Sequence, residues 1–281
     1  MQRRSLNFLT PGLLPAIIRV VASDWMLAMA VAVLFYICVI IPSALAGPPF
    51  RTDDPETVEY KHWEFYVAHT YNNDKDGVSG TAPHLELNYG VVPNVQLHII
   101  TPFAYDRPQG RPNSYGFGDL ELGVKYRFVQ ESEKIPMVGI FPILQLPTGN
   151  HSKGLGNGDP QLFLPIWFQK AWGPWQSYGG GGYWLNGGSG NKNYWYVGWQ
   201  VQREIAKWLT LGAEIFYTTP PTEGGEHQVG YNIGGFLNFT ENHHLIFSGG
   251  TDIHGPNLSR YYIAYLLTWG PSEKKNGENK K

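Results

Sequence analysis

From Val58 onward, apolar and polar residues alternate with period two. In the stretch Asp119 to Phe128, Leu120, Leu122, Val124, Tyr126 and Phe128 form one apolar set, while Asp119, Glu121, Lys125 and Arg127 fill the places between them. "HLELNYGV" (84–91) and "WLTLGAEIFY" (208–217) repeat the pattern. Alternation of this kind describes a β-strand with one apolar and one polar face. In a soluble sheet the apolar face lines a core, whereas in an outer-membrane barrel it meets lipid and the polar face turns inward. One strand does not decide between the two.

The whole chain does. The pattern predicts strands at 58–71, 83–91, 95–105, 117–129, 136–146, 160–170, 176–186, 194–204, 207–218, 228–240, 243–253 and 260–269, about twelve in all. Each is close to the roughly ten residues with which a tilted strand crosses a bilayer. Short connections such as Pro93-Asn94 and Glu241-Asn242 alternate with longer polar ones such as "DRPQGRPNSYG", "PTGNHSKGLGNGD" and "TPPTEGGEH". That parity fits an up-and-down barrel with tight periplasmic turns and outer loops, and a Greek-key sandwich gives no reason for it. No helical period or capped helix follows residue 46, so no second protein layer is available to cover the apolar faces. Outer-membrane lipid is the expected cover. The expected fold is therefore all-β: a transmembrane up-and-down antiparallel barrel over 58–270, preceded by a periplasmic segment at 47–57 and followed by a polar tail at 271–281.

The same phase assigns faces. Glu64, Tyr66, Glu86, His98, Asp119, Glu121, Lys125, Arg127, Phe141, Trp167, Tyr196, Glu214, Phe216, Asp252, Arg260 and Tyr262 are expected to line the lumen. Glu121 and Lys125 are too far apart along one strand for an ideal pair, so their partners are expected on neighbouring strands, and Glu86 with His98 is a candidate pair across the Pro93-Asn94 turn. Tyr105, Trp175, Tyr217 and Trp269 fall near strand ends, as interfacial girdles require. Tyr261, Ile263, Tyr265, Leu267 and Trp269 resemble the terminal signal read by barrel-assembly machinery, although here the polar tail follows it.

Composition changes the picture at the N-terminus. Arg3, Arg4 and Arg19 precede an apolar run from Trp25 to Ile41, and Pro42 to Ala46 supplies an A-x-A cleavage pattern ahead of Gly47. Residues 1–46 are expected to be a secretory signal peptide. A membrane-anchoring helix is the alternative, and Met26 or Met29 is an alternative start. This segment holds three Arg and one Asp of the chain's 21 basic and 23 acidic residues, which leaves the remainder mildly acidic. Nucleic acid is therefore not an expected partner. The one cysteine, Cys38, lies in the apolar run, so no disulfide framework or cysteine metal site is expected.

Candidate chemistry is sparse. "RTDDP" (51–55) either coordinates a divalent ion or plugs the periplasmic mouth, or it is an Asx-type turn leading into the first strand. A hydrolase needs a Ser–His pair with an orienting group, but the adjacent His151 and Ser152 point apart and no nucleophile elbow is present. Gly179 to Gly182 lack a strand-loop-helix context for phosphate, and fit a bulge, strong coiling or the close approach of a plug. His227 and His254, with Glu223, Glu226 or Asp252, could share a metal or simply be solvated. No catalytic residue, metal or cofactor is assigned.

"GPPFRTDDPETVEYKHWEFY", "LNYGVVPNVQL", "YGFGDLELGVKYRF", "FPILQLPTGN" and "WFQKAWGPW" with "YGGGGYW" resemble the bacterial outer-membrane family of the MetA pathway of phenol degradation, over most of 47–269. The resemblance implies a porin-like Gram-negative barrel that passes small, often aromatic, solutes, and it carries over no catalytic residue. The expected function is an outer-membrane channel or transporter for passive passage of small aromatic or amphipathic solutes. A structural or surface-interaction barrel with a side-chain-filled lumen is the alternative.

Overall fold

A chain with unpaired strand edges cannot sit in hydrocarbon, because no water is there to satisfy its N–H and C=O groups. The computed structural model, which describes residues 49–271, meets that demand by closing one antiparallel sheet on itself. The expected signal segment and nearly all of the tail lie outside the described residues.

The strands are β1 (Trp63–Asp74), β2 (Gly77–Val92), β3 (Val95–Pro108), β4 (Ser114–Phe117), β5 (Leu120–Val129), β6 (Met137–Ile140), β7 (Ile143–Leu146), β8 (Gln161–Trp172), β9 (Trp175–Asn186), β10 (Tyr194–Ala206), β11 (Leu209–Thr218), β12 (Gln228–Asn238), β13 (His243–His254) and β14 (Ser259–Trp269). They make twelve passes of the wall. β6 and β7 are halves of one pass, since both pair with β5 and with β8, and β4 and β5 are parts of another, since both pair with β3. The break falls at Phe141-Pro142, where proline offers no N–H to the ladder. β1 closes the barrel against β14, in register from Trp63↔Trp269 to Asn73↔Ser259.

Two boundaries differ from the sequence expectation. The first strand begins at Trp63, five residues later than its period suggested, because the chain before it is engaged elsewhere. "NNDKDGVSGTA", expected as a loop, is mostly ladder: β1 and β2 run on to a turn of Lys75 and Asp76, whose tip is fixed by Asp74 Oδ1 accepting from the N–H groups of Asp76 and Gly77. Polar strands are stable there because pairing, rather than burial, satisfies their backbone.

Along β5, Leu122, Val124, Tyr126 and Phe128 are exposed outward while Lys125 is 2 % exposed. The same phase recurs on β10, with Trp195, Val197, Trp199 and Val201 outside and Tyr196, Gln200 and Gln202 buried. Among the described residues no helix is long and apolar enough to cross a membrane, and strands do the crossing.

Candidate functional site

The barrel's interior is occupied by its own N-terminal segment. Residues 49–57, expected as a periplasmic lead-in, enter the lumen together with Val58 as a strap that touches most of the circumference. Ser248 Oγ on β13 donates to Pro49 O at 2.6 Å. Glu214 on β11 accepts from Arg51 N and Thr52 N at 2.9 and 2.8 Å, and from Asn232 Nδ2 of β12. Thr52 Oγ1 meets the Tyr196 hydroxyl of β10 at 3.2 Å. Lys125 Nζ on β5 lies 2.8 Å from Asp53 Oδ1 and 3.8 Å from Asp54 Oδ1. Gln169 on β8 donates to Glu56, and Gln96 on β3 accepts from Val58 N. Gly198 of β10 permits this: a Cβ there would collide with the Thr52 hydroxyl.

"RTDDP" thus combines two of its expected readings. It is a turn, since Asp54 Oδ1 accepts from Glu56 N at 2.7 Å, and that turn sits inside the barrel. Among the described residues no group of three or more His, Cys, Asp or Glu is arranged to hold a metal. Burial raises the Asp54 carboxyl to about 7, because desolvation outweighs the field of Lys125, which Asp53 also occupies at closer range. Burial also raises Glu56, against the hydrogen bond from Gln169.

Beside the strap lies a continuous aromatic wall. Trp184 stacks on Phe163 with centroids 4.7 Å apart, Phe163 meets Trp167 and Tyr196 edge-on, and Tyr196 stacks with Phe216 at 6.3 Å. The glycine run on β9 makes this possible. Gly180 and Gly182 face inward opposite β8, where a Cβ would lie 3.0 Å from the Trp167 ring and 2.6 Å from the Phe163 ring. The missing side chains leave room for both rings.

The wall ends at two guanidinium groups. Arg51 stands 4.5 Å from the Phe216 centroid and 5.5 Å from that of Tyr196, and Arg260 of β14 stands 5.0 Å from Phe216. A second polar cluster occupies the β2–β5 side. His98 contacts Asn88 at 2.7 Å, Glu121 at 3.1 Å and Glu86 at 3.6 Å, and with Lys125, Asp53, Phe50 and Phe141 it lines an interior cavity of about 130 Å³. On the outer surface a concavity of about 620 Å³ is lined by lipid-facing residues including Leu97, Leu122 and Leu144.

Most residues expected in the lumen converge on these groups. Glu86, His98, Glu121, Lys125 and Phe141 form the polar cavity, Trp167, Tyr196 and Phe216 the wall, and Glu214, Asp252 and Arg260 the strap anchor and its neighbour. Glu86 and His98 do come together across the Pro93-Asn94 turn. Glu121 finds His98 and Gln145 on adjacent strands, whereas Lys125 takes its partners from the strap. Glu64 accepts from the Tyr66 hydroxyl, and Tyr262 lies two residues beyond Arg260 on the same face. Two residues stand apart. Asp119 ties down the outer loop through Gly149 N and Asn157 N, and Arg127 binds Asn94 at the periplasmic rim. Ser152 donates to Asn150 and His151 approaches Gly156 O. His227 and His254 stack face to face at 4.3 Å. Arg51, Thr52, Asp53, Gln96 and Ser248 were absent from the expected set, and only the turn-forming "RTDDP" hinted at the first three.

A closed twelve-pass barrel with the N-terminal chain inside narrows the family, and a family model described as "Putative MetA-pathway of phenol degradation" matches residues 62–266. The chain belongs to this family. Its fold is similar to that of the COG4313 outer membrane channel from Pseudomonas putida F1, with TM-score 0.65 and 17% identity over 80% of this chain and 100% of that one. It is also similar to the KdgM porin in complex with disordered oligogalacturonate, with TM-score 0.52 and 9% identity over 73% and 99% of the two chains. The NanC porin follows at TM-score 0.50 and 9% identity, over 74% and 99%. No curated protein sequence matches. The architecture of this phenol-degradation family member is that of an outer-membrane barrel, and these neighbours are channels and porins.

Proposed function

We propose that this barrel passes small amphipathic solutes bearing aromatic rings across the outer membrane without chemical change. The observation that carries this reading is the ring wall from Trp184 to Phe216, which runs beside a strap held largely by hydrogen bonds. Ring faces lower the cost of admitting an apolar solute into a polar lumen. A strap fastened by polar contacts can exchange them for water, so its position can change without unfolding the wall. The residues expected to line the lumen then act as follows: Trp167, Tyr196 and Phe216 carry the ring, while Glu86, His98, Glu121 and Lys125 set the field around it. No residue is assigned a catalytic role, and assembly proceeds through recognition of β14 by barrel-assembly machinery.

The second reading is a sealed structural barrel, favoured by the Lys125 to Asp53 pair and the His98 to Glu121 contact that knit the interior together. Planar-bilayer conductance and proteoliposome uptake of phenol separate the two. Conductance that increases when residues 49–57 are deleted, with phenol uptake in the intact protein, supports passage. Neither conductance nor uptake in either form would leave the sealed barrel.

A further inference from the structure

At one end of the ring wall, hydrogen-bond donors outnumber the acceptors offered to them. Arg51 leaves its guanidinium exposed to the lumen, with only the Gln228 amide oxygen at 3.2 Å and two ring faces against it, and it forms no ion pair among the described residues. The carboxylate nearest in the strap's own contacts, Glu214, is already taken by the Arg51 and Thr52 backbone N–H groups and by Asn232. Arg260 is 8 % exposed and places Nη2 on Asp252 at 2.5 Å, yet its Nη1 has no partner among the described residues. Asp252 is itself shared with Gln228 Nε2 and Leu258 N. A buried donor left unmet, as Arg260 Nη1 is, costs free energy, and here it stands at a ring that a second guanidinium also faces.

We infer that Arg51 and Arg260 form a binding site for the carboxylate of an aromatic acid whose ring lies at the end of the Phe216 and Tyr196 wall. A guanidinium presents paired N–H donors that fit the two oxygens of a carboxylate, and Arg51 presents them on an exposed side chain. The register keeps the parts together. Gly230, opposite Phe216 and Asp252 in the two ladders, and Gly250, opposite Arg260 and Asn232, carry no side chain into the space between them. Arg51 comes from the strap and Arg260 from the wall, so an acid bound here touches both, and binding is coupled to the strap's position. The site rests on the passage reading and narrows it, from amphipathic aromatic solutes in general to aryl carboxylates.

The test is calorimetric titration of the purified full-length mature barrel, strap included, with benzoate, benzamide and benzylammonium. Benzoate is expected to bind saturably, with the neutral amide at least about tenfold weaker, the consequence of losing one charge-assisted pair. The ammonium should not bind. Arg51→Gln, at an exposed position, should bring benzoate down to the level of benzamide and leave benzamide unchanged. Equal binding of benzoate and benzamide, no benzoate binding, or an unchanged benzoate affinity in Arg51→Gln would overturn the site. Uptake of benzoate into proteoliposomes is measured separately. Binding that depends on Arg51 without uptake sustains the site and removes the passage reading, whereas uptake without Arg51-dependent binding does the reverse.

Discussion

Glu214 anchors the strap through its backbone, and replacing it with Gln is the sharpest way to loosen that hold without changing the wall's shape. Its Oε1 accepts from Arg51 N and Asn232 Nδ2, and its Oε2 from Thr52 N. An amide supplies one oxygen. With that oxygen kept on the Oε1 side, the Thr52 N–H faces an NH₂ and loses its acceptor, while the Arg51 bond loses its charge. A buried donor without a partner costs roughly 1–3 kcal/mol, and the weakened charged bond adds about 1 more, so the docked strap should lose about 2–4 kcal/mol. The released fraction then rises roughly thirtyfold or more, at about 1.4 kcal/mol per factor of ten. Thr57→Cys is a suitable reporter, because Thr57 is 6 % exposed, its hydroxyl has no partner among the described residues, and Cys38 is the chain's only thiol. Where opening and closing are fast, the rate of thiol labelling follows the released fraction. Glu214→Gln should accelerate labelling of the introduced thiol by more than about tenfold, while heat-modifiable gel migration stays that of the assembled barrel. An unchanged labelling rate in an assembled barrel would refute the strap's dependence on Glu214.

Leu122→Arg should impair assembly far more than Glu121→Ala, because an Arg on the lipid face at mid-bilayer costs about 2–4 kcal/mol, whereas the interior tolerates polar change; normal heat-modifiable migration of Leu122→Arg would reverse the facing of β5. Labelling of the Thr57→Cys variant should also depend on pH. Asp54 and Glu56 are raised by burial in the docked strap, so the docked state binds more protons than the released one and is favoured in acid; docking weakens as pH rises from about 4 toward about 7, and labelling corrected for thiolate content should increase across that window. A flat corrected profile would assign no such role to either carboxyl. Mass spectrometry of membrane-extracted protein should find a mature chain starting near Gly47, and intact recovery of Trp25 to Ile41 in the inner membrane would favour the anchor.

The sequence by itself determined the wall. Strand period and the facing of residues such as Leu122 and Lys125 are local properties, because each side chain's face follows from its parity, and closure follows from the need to pair every backbone group in lipid. What lies inside was decided only by tertiary structure. Nothing in the alternation says that Lys125 pairs with Asp53, because that contact joins residues 72 positions apart and one of them belongs to no strand. Gly198 reads as an ordinary wall glycine until Thr52 is set against it, and Gly180 with Gly182 until the Trp167 and Phe163 rings lie over them. Arg51 and Arg260 stand at opposite ends of the chain, and only closure of β1 on β14 and entry of the strap bring both guanidiniums to the Phe216 ring. Parity assigns a side chain to the inside of a barrel, but which inward groups meet depends on shear, closure and the course of an irregular segment. Those are set by the sum of many weak contacts across the lumen, and no short window of sequence contains them.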